Sequence, residues 1–81
     1  MFDNNNIIIT GGTGSFGNAV LQRFINTNIQ EIRIFSRDEK KQDDMRKYYN
    51  NPKIKFYIGD VRDYNSVVNA MGGVDYVFHA A

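Results

Sequence analysis

The sequence predicts an α/β domain built on a doubly wound parallel sheet. Three observations lead to this fold class: short β-branched runs, amphipathic stretches between them, and a glycine cluster directly after the first run. Strands that are apolar throughout are typical of parallel sheets, which are buried on both faces. The elements alternate as β-α-β-α-β-α-β, so right-handed crossovers place the strands in the order 3-2-1-4.

Four elements account for the first half of the chain. The first strand is predicted over residues 7–10, an isoleucine-rich run. Apolar residues then recur at helical spacing and predict an amphipathic helix over roughly 15–27. The second strand is predicted over 32–35, and the charged stretch 37–47 follows it. Asp38 is placed to cap a helix in that stretch.

Three further elements account for the second half. Apolar residues alternate over 54–58 and predict the third strand, which Gly59 closes. Asp63 is placed to cap a third helix, and the pair Gly72-Gly73 stops that helix. The fourth strand is predicted over 74–78. It would form an apolar sheet edge without a neighbour, so we expect this chain to be the front part of a longer protein.

Composition and charge exclude several classes of protein. Ten Lys and Arg against nine Asp and Glu give a net charge of +1, so no overall field attracts nucleic acid or an anionic membrane. The chain has no Cys, which excludes disulfides, thiolate nucleophiles and Cys-ligated zinc. A single histidine, His79, cannot build a His-based metal site alone, so no metal is expected. These features fit a reducing cytoplasm.

The glycine cluster carries the strongest functional signal. Gly11, Gly14 and Gly17 lie between a predicted strand and a predicted helix, which is the context that a dinucleotide-binding loop requires. Gly11 would let the chain turn off the strand, and Gly14 would let the backbone approach a pyrophosphate. Gly17 would let the helix pack close to the strand, and the helix N-terminus would offer N–H groups to the phosphates. The alternative is a glycine-rich turn that binds no ligand.

The end of the second strand indicates which dinucleotide is bound. An NAD site usually places Asp or Glu about 20 residues beyond the glycines, whereas this sequence has Ser36 and Arg37 there. A hydroxyl and a guanidinium suit a 2′-phosphate better than an unmodified ribose. The alternative is a solvated, salt-bridged helix surface, which we favour for Lys40, Arg46 and Lys47.

Other candidate positions lie at the ends of later strands. Asp60 would accept a hydrogen bond from an adenine amino group while Val61 packs on the ring; otherwise Asp60 caps a turn. His79 closes the fourth strand, where a structural role is favoured over a catalytic one. Tyr49 and Lys53 have the Tyr-x-x-x-Lys spacing of a reductase pair, but Pro52 between them breaks the helix that such a pair needs. No catalytic residue is therefore assigned.

Together these motifs resemble the extended short-chain dehydrogenase/reductase family over the whole chain. Within that family, GGTGSFG, IFSRDEKKQ and FYIGDVRDY are similar to the UDP-N-acetylglucosamine 4,6-dehydratases of polysaccharide biosynthesis. The resemblance implies the N-terminal part of an NADP-binding Rossmann domain over 1–81, with the substrate domain absent. It implies that NADP is held by Gly11, Thr13, Gly14, Ser15, Phe16, Gly17, Ser36, Arg37, Lys41, Asp60 and Val61, with Ala80 and Ala81 near the inner ribose.

The resemblance also implies an activity for the full-length protein. Hydride would leave sugar carbon 4, water would be eliminated across carbons 5 and 6, and the hydride would return to carbon 6, with carbon 5 inverted. A UDP-sugar is then the expected substrate, and a homo-oligomer is the expected assembly. We expect the isolated chain to be inactive. The alternatives are another extended family member, such as a UDP-sugar epimerase, and a non-catalytic NADP-binding remnant.

Overall fold

A computed structural model describes residues 4–80, which form four parallel strands and three helices. In chain order the elements are β1 Asn6–Thr10, α1 Ser15–Phe24, β2 Glu31–Ser36, α2 Glu39–Tyr49, β3 Ile54–Ile58, α3 Tyr64–Met71 and β4 Tyr76–His79. The sheet order is β3-β2-β1-β4, and every pairing is parallel. The predicted fold class and strand order are therefore confirmed. No helix in the described part of the chain is long and apolar enough to cross a membrane.

Helices α1 and α2 cover one face of the sheet and bury the larger core. Alternate strand residues such as Ile7 and Ile9 of β1 point into this layer and are fully buried. Leu21 of α1 and Met45 of α2 pack against them. Nine buried residues belong to this cluster, and each side chain of this size contributes about 1.5–3 kcal/mol when it leaves water.

Helix α3 covers the opposite face, where the core is smaller. Only Ile8, Phe35 and Ala70 are buried in this cluster among the described residues. Arg33 of β2 joins the sheet to the end of α3, because its Nη1 donates to the Ala70 carbonyl at 2.7 Å. Its guanidinium also lies over the ring of Tyr57, 5.7 Å from the centroid. The connections β1-α1-β2 and β2-α2-β3 run over one face of the sheet, and the connection β3-α3-β4 runs over the opposite face. The sheet is therefore doubly wound.

Two boundaries differ from the sequence predictions. Helix α1 ends at Phe24 rather than near residue 27, because the hydroxyl and the amide of Thr27 both donate to the Phe24 carbonyl and close a turn. Strand β4 begins at Tyr76 rather than residue 74, because the Val74 amide is still bonded to the carbonyl of Met71. The predicted caps hold: the carboxylate of Asp38 accepts from the Lys41 amide, and that of Asp63 accepts from the Asn65 amide.

Candidate functional site

The glycine loop is attached to the end of the neighbouring strand. Gly11 has a φ of 66°, the left-handed region that glycine adopts without strain, so the chain turns sharply off β1. The amides of Gly11 and Gly12 both donate to the Phe35 carbonyl of β2, at 2.8 and 3.3 Å. The Gly14 amide donates back to the Gly11 carbonyl at 3.2 Å. The loop is thus a folded element whose own hydrogen bonds define its shape.

Close packing at the loop also involves Gly12, to which the sequence motif assigns no role. A Cβ atom on Gly17 would lie 2.4 Å from the Gly12 carbonyl oxygen. At Gly17, α1 therefore packs against the glycine loop, whereas the predicted contact of Gly17 was with the strand. Gly12 in turn makes the strand contact. A Cβ there would lie 2.8 Å from the Ile9 carbonyl and 2.9 Å from the side chain of Ile34. The doubled glycine at 11–12 was the available signal.

Amide groups without a helical partner lie at the N-terminal end of α1. Ser15, Phe16 and Gly17 occupy its first three positions, where the helix offers no carbonyl partner to their amides. Gly14, the N-cap, has no side chain that could satisfy them. Together with the helix dipole, these donors give this end of α1 a partial positive charge. The Phe16 side chain is 56% exposed beside them.

A cleft of about 230 Å³ opens beside this loop at the carboxyl ends of β1, β2 and β3. It is lined by Gly11, Phe35, Ser36, Arg37, Gly59, Asp60, Val61 and Arg62. A second, shallower cleft shares Ser36 and Arg37 with it and extends past Thr13. The carboxyl ends of the strands are where open α/β sheets bind their ligands. The structure therefore brings the glycine loop together with most of the residues predicted at the strand ends.

The hydroxyl of Ser36 has both of its acceptor positions used by the protein. Ser36 is 8% exposed, and its Oγ accepts from the Asp38 amide at 3.3 Å and from Gln42 Nε2 at 3.1 Å. A hydroxyl has two acceptor lone pairs and one donor hydrogen. The remaining capacity is therefore the donor hydrogen. Gln42 also donates to the Tyr57 carbonyl at 2.8 Å and so ties the ends of β2 and β3 together.

Charged groups at the cleft are arranged around one carboxylate. Arg62 Nη2 lies 2.8 Å from Oδ2 of Asp60, and Arg37 Nη1 lies 3.6 Å from the same oxygen. Hydrogen bonds from the side chain and the amide of Arg62 hold the pKa of the Asp60 carboxyl well below its usual range. An adenine amino group at Asp60 would have to share an oxygen with an arginine.

Of the remaining predicted ligand residues, Val61 lines the cleft, whereas Ala80 and Lys41 do not. Val61 lines it and is 43% exposed, as an adenine contact requires. Ala80 follows β4, and its amide donates to the Thr10 carbonyl beside the glycine loop. Lys41 lies in the first turn of α2 with an exposed side chain, outside the residues that line the two clefts. Ala81 lies outside the described residues.

For several other side chains, the structure supports the structural role that the sequence favours over a functional one. The Thr10 hydroxyl and His79 Nδ1 are 2.6 Å apart, so His79 ties the ends of β1 and β4 together. Lys40 pairs with Asp44, while Arg46 and Lys47 pair with Asp43, which confirms a salt-bridged helix surface at these three cations. Such exposed pairs contribute little to stability. Within residues 4–80, no group of three potential metal ligands comes together.

Tyr49 and Lys53 do not form a reductase-like pair. The Tyr49 hydroxyl donates to Oδ1 of Asn18 in α1 at 3.1 Å. Lys53 Nζ instead donates to the Thr27 carbonyl at 2.8 Å. These contacts lie on the α1 side of the sheet and include none of the cleft residues. Both side chains therefore have structural partners, in agreement with the sequence interpretation.

Two polar residues that contact cleft residues were missed in the sequence. Gln42 precedes Met45 by three residues and Tyr49 by seven, so it shares their buried helix face and its inward position could have been found. Arg62 follows Asp60 by two residues, a spacing that allows the Asp60 carboxylate to accept from both the amide and the side chain of Arg62. Periodicity gives no signal for that contact, because the segment is a turn.

Sequence comparison identifies a family and close relatives. A family model described as "Polysaccharide biosynthesis protein" matches residues 7–81. A protein of Rickettsia bellii named UDP-glucose 4-epimerase is 71% identical over 85 residues, which cover all of this chain and 25% of the relative. The Rickettsia prowazekii protein of the same name is 68% identical over the same extent. The chain thus spans about a quarter of the curated relatives it matches. Their name is epimerase, and not the dehydratase that the motifs resemble.

Solved structures share the fold. Pen from Bacillus thuringiensis superposes with a TM-score of 0.95 at 36% identity, covering all of this chain and 25% of Pen. The Bordetella bronchiseptica enzyme WbmF in complex with NAD+ and UDP gives a TM-score of 0.76 at 20% identity, over 99% of this chain and 24% of WbmF. At that identity the second likeness establishes the fold alone.

Proposed function

Because the chain belongs to the polysaccharide biosynthesis protein family, we propose that it is the dinucleotide-binding segment of a UDP-sugar-modifying enzyme and that it prefers NADP to NAD. The NAD+ and UDP bound to WbmF, a neighbour of the same fold, support a nicotinamide dinucleotide and a UDP-sugar. When bound, such a cofactor accepts a hydride from a sugar carbon and returns it. The chain's own residues supply binding and orientation.

A single observation carries the preference for NADP. At the end of β2, Ser36 and Arg37 line the cleft where an NAD site would place a carboxylate. Both acceptor positions of the Ser36 hydroxyl are used, so that hydroxyl is a donor toward the ligand. A 2′-phosphate offers only acceptors near neutral pH, which matches a donor hydroxyl and a guanidinium.

A calorimetric titration of NADP and NAD tests this proposal. A charge-assisted hydrogen bond contributes roughly 1.5–3 kcal/mol, which corresponds to about 10- to 100-fold in affinity. Arg37→Ala should weaken NADP binding by that factor and leave NAD nearly unchanged. Arg37→Lys should recover only part of the loss, because an ammonium lacks the two-pronged geometry.

Lys40→Ala is the matched control, since Lys40 is a nearby cation that pairs with Asp44. It should leave both affinities unchanged. An equal loss of NAD and NADP in Arg37→Ala would mean that Arg37 holds the loop and does not read the 2′-phosphate.

Two activities are compatible with a UDP-sugar enzyme of this type. A 4-epimerase returns the hydride to carbon 4, whereas a 4,6-dehydratase returns it to carbon 6 after water is eliminated. The name of the Rickettsia relatives favours UDP-glucose 4-epimerase, at up to 71% identity. The motif resemblance favours the dehydratase. We place the epimerase first and keep the dehydratase as the second candidate.

A chimera tests whether this chain supplies a working dinucleotide-binding segment to an enzyme of either activity. This chain would replace the matching quarter of the Rickettsia bellii relative, and the product would be incubated with UDP-glucose and with UDP-N-acetylglucosamine. Formation of UDP-galactose, or of a 4-keto-6-deoxy product, would show that this segment supports that activity. An intact, folded chimera that converts neither sugar would contradict the proposal. The chain alone should give no product, because Tyr49 and Lys53 are committed to structural contacts.

A further inference from the structure

Arg62 is held beside the cleft by four contacts with the carboxylate of Asp60. Its Nε lies 3.1 and 3.2 Å from the two oxygens of Asp60, and its Nη2 lies 2.8 Å from one of them. Its amide donates to the same carboxylate at 2.9 Å. These contacts fix the guanidinium beside the cleft although its side chain is 77% exposed. They use Nε and Nη2 and leave Nη1 for another acceptor.

The carboxylate of Asp60 connects Arg62 to Arg37. Both guanidiniums approach Oδ2, at 2.8 and 3.6 Å, from segments that follow different strands. Two cations and one anion leave this cluster with a charge of +1. A phosphate monoester carries about −1.5 to −2 near neutral pH and offers three acceptor oxygens. Such a group is able to bind both guanidiniums at once, and Asp60 keeps them close together before the ligand arrives.

We propose that Arg62 is a second specificity-determining residue for a ligand phosphate at this cleft and that Asp60 is the positioning residue for Arg62 and Arg37. The proposal rests on the proposed binding of a 2′-phosphorylated dinucleotide. In a simpler arrangement Arg62 would only neutralise Asp60. The two differ in one respect: a neutralising Arg62 affects phosphate affinity only by cancelling the charge of Asp60, whereas a positioned Arg62 also contacts the phosphate directly.

The test uses two probes that differ only in the 2′-phosphate: adenosine 2′,5′-bisphosphate and adenosine 5′-monophosphate. Both are titrated into the 81-residue chain and followed by ¹⁵N–¹H NMR, and the quantity compared is the ratio of the two affinities. Arg62→Ala should reduce that ratio about tenfold, the scale of one charge-assisted hydrogen bond. Arg62→Lys should reduce it about threefold, because charge remains without the planar fork. The lysine variant keeps the test informative if the alanine variant does not fold.

Asp60→Asn separates positioning from simple neutralisation. Removal of a negative charge would strengthen phosphate binding if Asp60 only opposed the arginines. If Asp60 positions them, the substitution should lower the affinity ratio instead. Arg46→Ala is the matched control, since Arg46 pairs with Asp43 away from the cleft and should leave the ratio unchanged.

The outcomes distinguish the two proposals. If the wild-type chain prefers the bisphosphate and the folded Arg62 variants keep that preference, the role of Arg62 is refuted while NADP binding stands. A stronger preference in Asp60→Asn would refute the positioning role. If the wild-type chain shows no preference for the bisphosphate, the proposed NADP preference fails, and the role of Arg62 fails with it.

Discussion

Alanine at Gly17 should impair folding, whereas alanine at Gly14 should impair ligand binding. A Cβ on Gly17 would lie 2.4 Å from the Gly12 carbonyl oxygen, whereas an ordinary contact begins near 3.4 Å. Helix α1 would therefore have to move by about 1 Å relative to the loop, because backbone cannot rotate away as a side chain can. A Cβ on Gly14 would lie 3.7 Å from its nearest neighbour, the Gly11 carbonyl oxygen, and its φ of −83° suits alanine.

The two stability costs follow from these distances. Overpacking of this kind costs about 1–3 kcal/mol, a large share of the roughly 4–12 kcal/mol expected for a chain of this length. At about 4–8 °C per kcal/mol, Gly17→Ala should lower the melting temperature by roughly 4–24 °C. Gly14→Ala replaces only an N-cap glycine, which costs less than about 1 kcal/mol.

Thermal unfolding followed by circular dichroism measures the first effect, and dinucleotide titration measures the second. Gly14→Ala should fold almost normally but bind dinucleotide less well, since its methyl group would stand where the backbone meets the pyrophosphate. The reasoning would be refuted if Gly17→Ala melted within about 2 °C of the wild type, well short of the smallest expected shift of roughly 4 °C. Equal destabilisation by both substitutions would refute it as well.

Two further predictions concern charge and the sheet edge. Arg62→Ala should raise the pKa of the Asp60 carboxyl toward its ordinary value of 3.8 in a ¹³C NMR titration. The pKa of Asp43, which is lowered by its hydrogen bond with Lys47, should not change. Because the folded-state pKa of Asp60 is lowered, the small stabilisation from its ionised form is present above pH 3.8 and is lost as the pH falls further. Val77 is 49% exposed on the edge strand β4, so Val77→Lys should reduce self-association measured by sedimentation velocity; a wild-type chain that stays monomeric at high concentration would contradict this.

Periodicity was sufficient to predict the sheet, because the apolar residues of its strands and helices recur with the spacing of each element. The β-branched run at 7–10 and the alternation at 54–58 both became strands at those positions, give or take one residue. The ends of the elements were harder to predict from the sequence, because they depend on local hydrogen bonds. The hydroxyl of Thr27, which ends α1 early, is one such case.

The candidate site was only partly predictable for a related reason. The turn at Gly11 follows from its place directly after an apolar strand. The contact between Gly12 and Gly17 requires two backbones to meet, and residue types alone do not say which pair of glycines does so. The pairing of Arg37 with Asp60 joins residues 23 positions apart, and it depends on β2 and β3 ending at the same edge.

The unequal cores on the two sheet faces give the protein regions of different local stability. The α1–α2 face rests on nine buried residues, whereas the α3 face has three. Amide hydrogens of α3 and β4 should therefore exchange through partial openings that leave β1 and β2 intact. Asp60 and Arg62 lie on the segment that leads into α3, while Ser36 belongs to β2. A ligand that joins both parts of the cleft would suppress these openings, so part of its binding free energy would appear as slower exchange in α3.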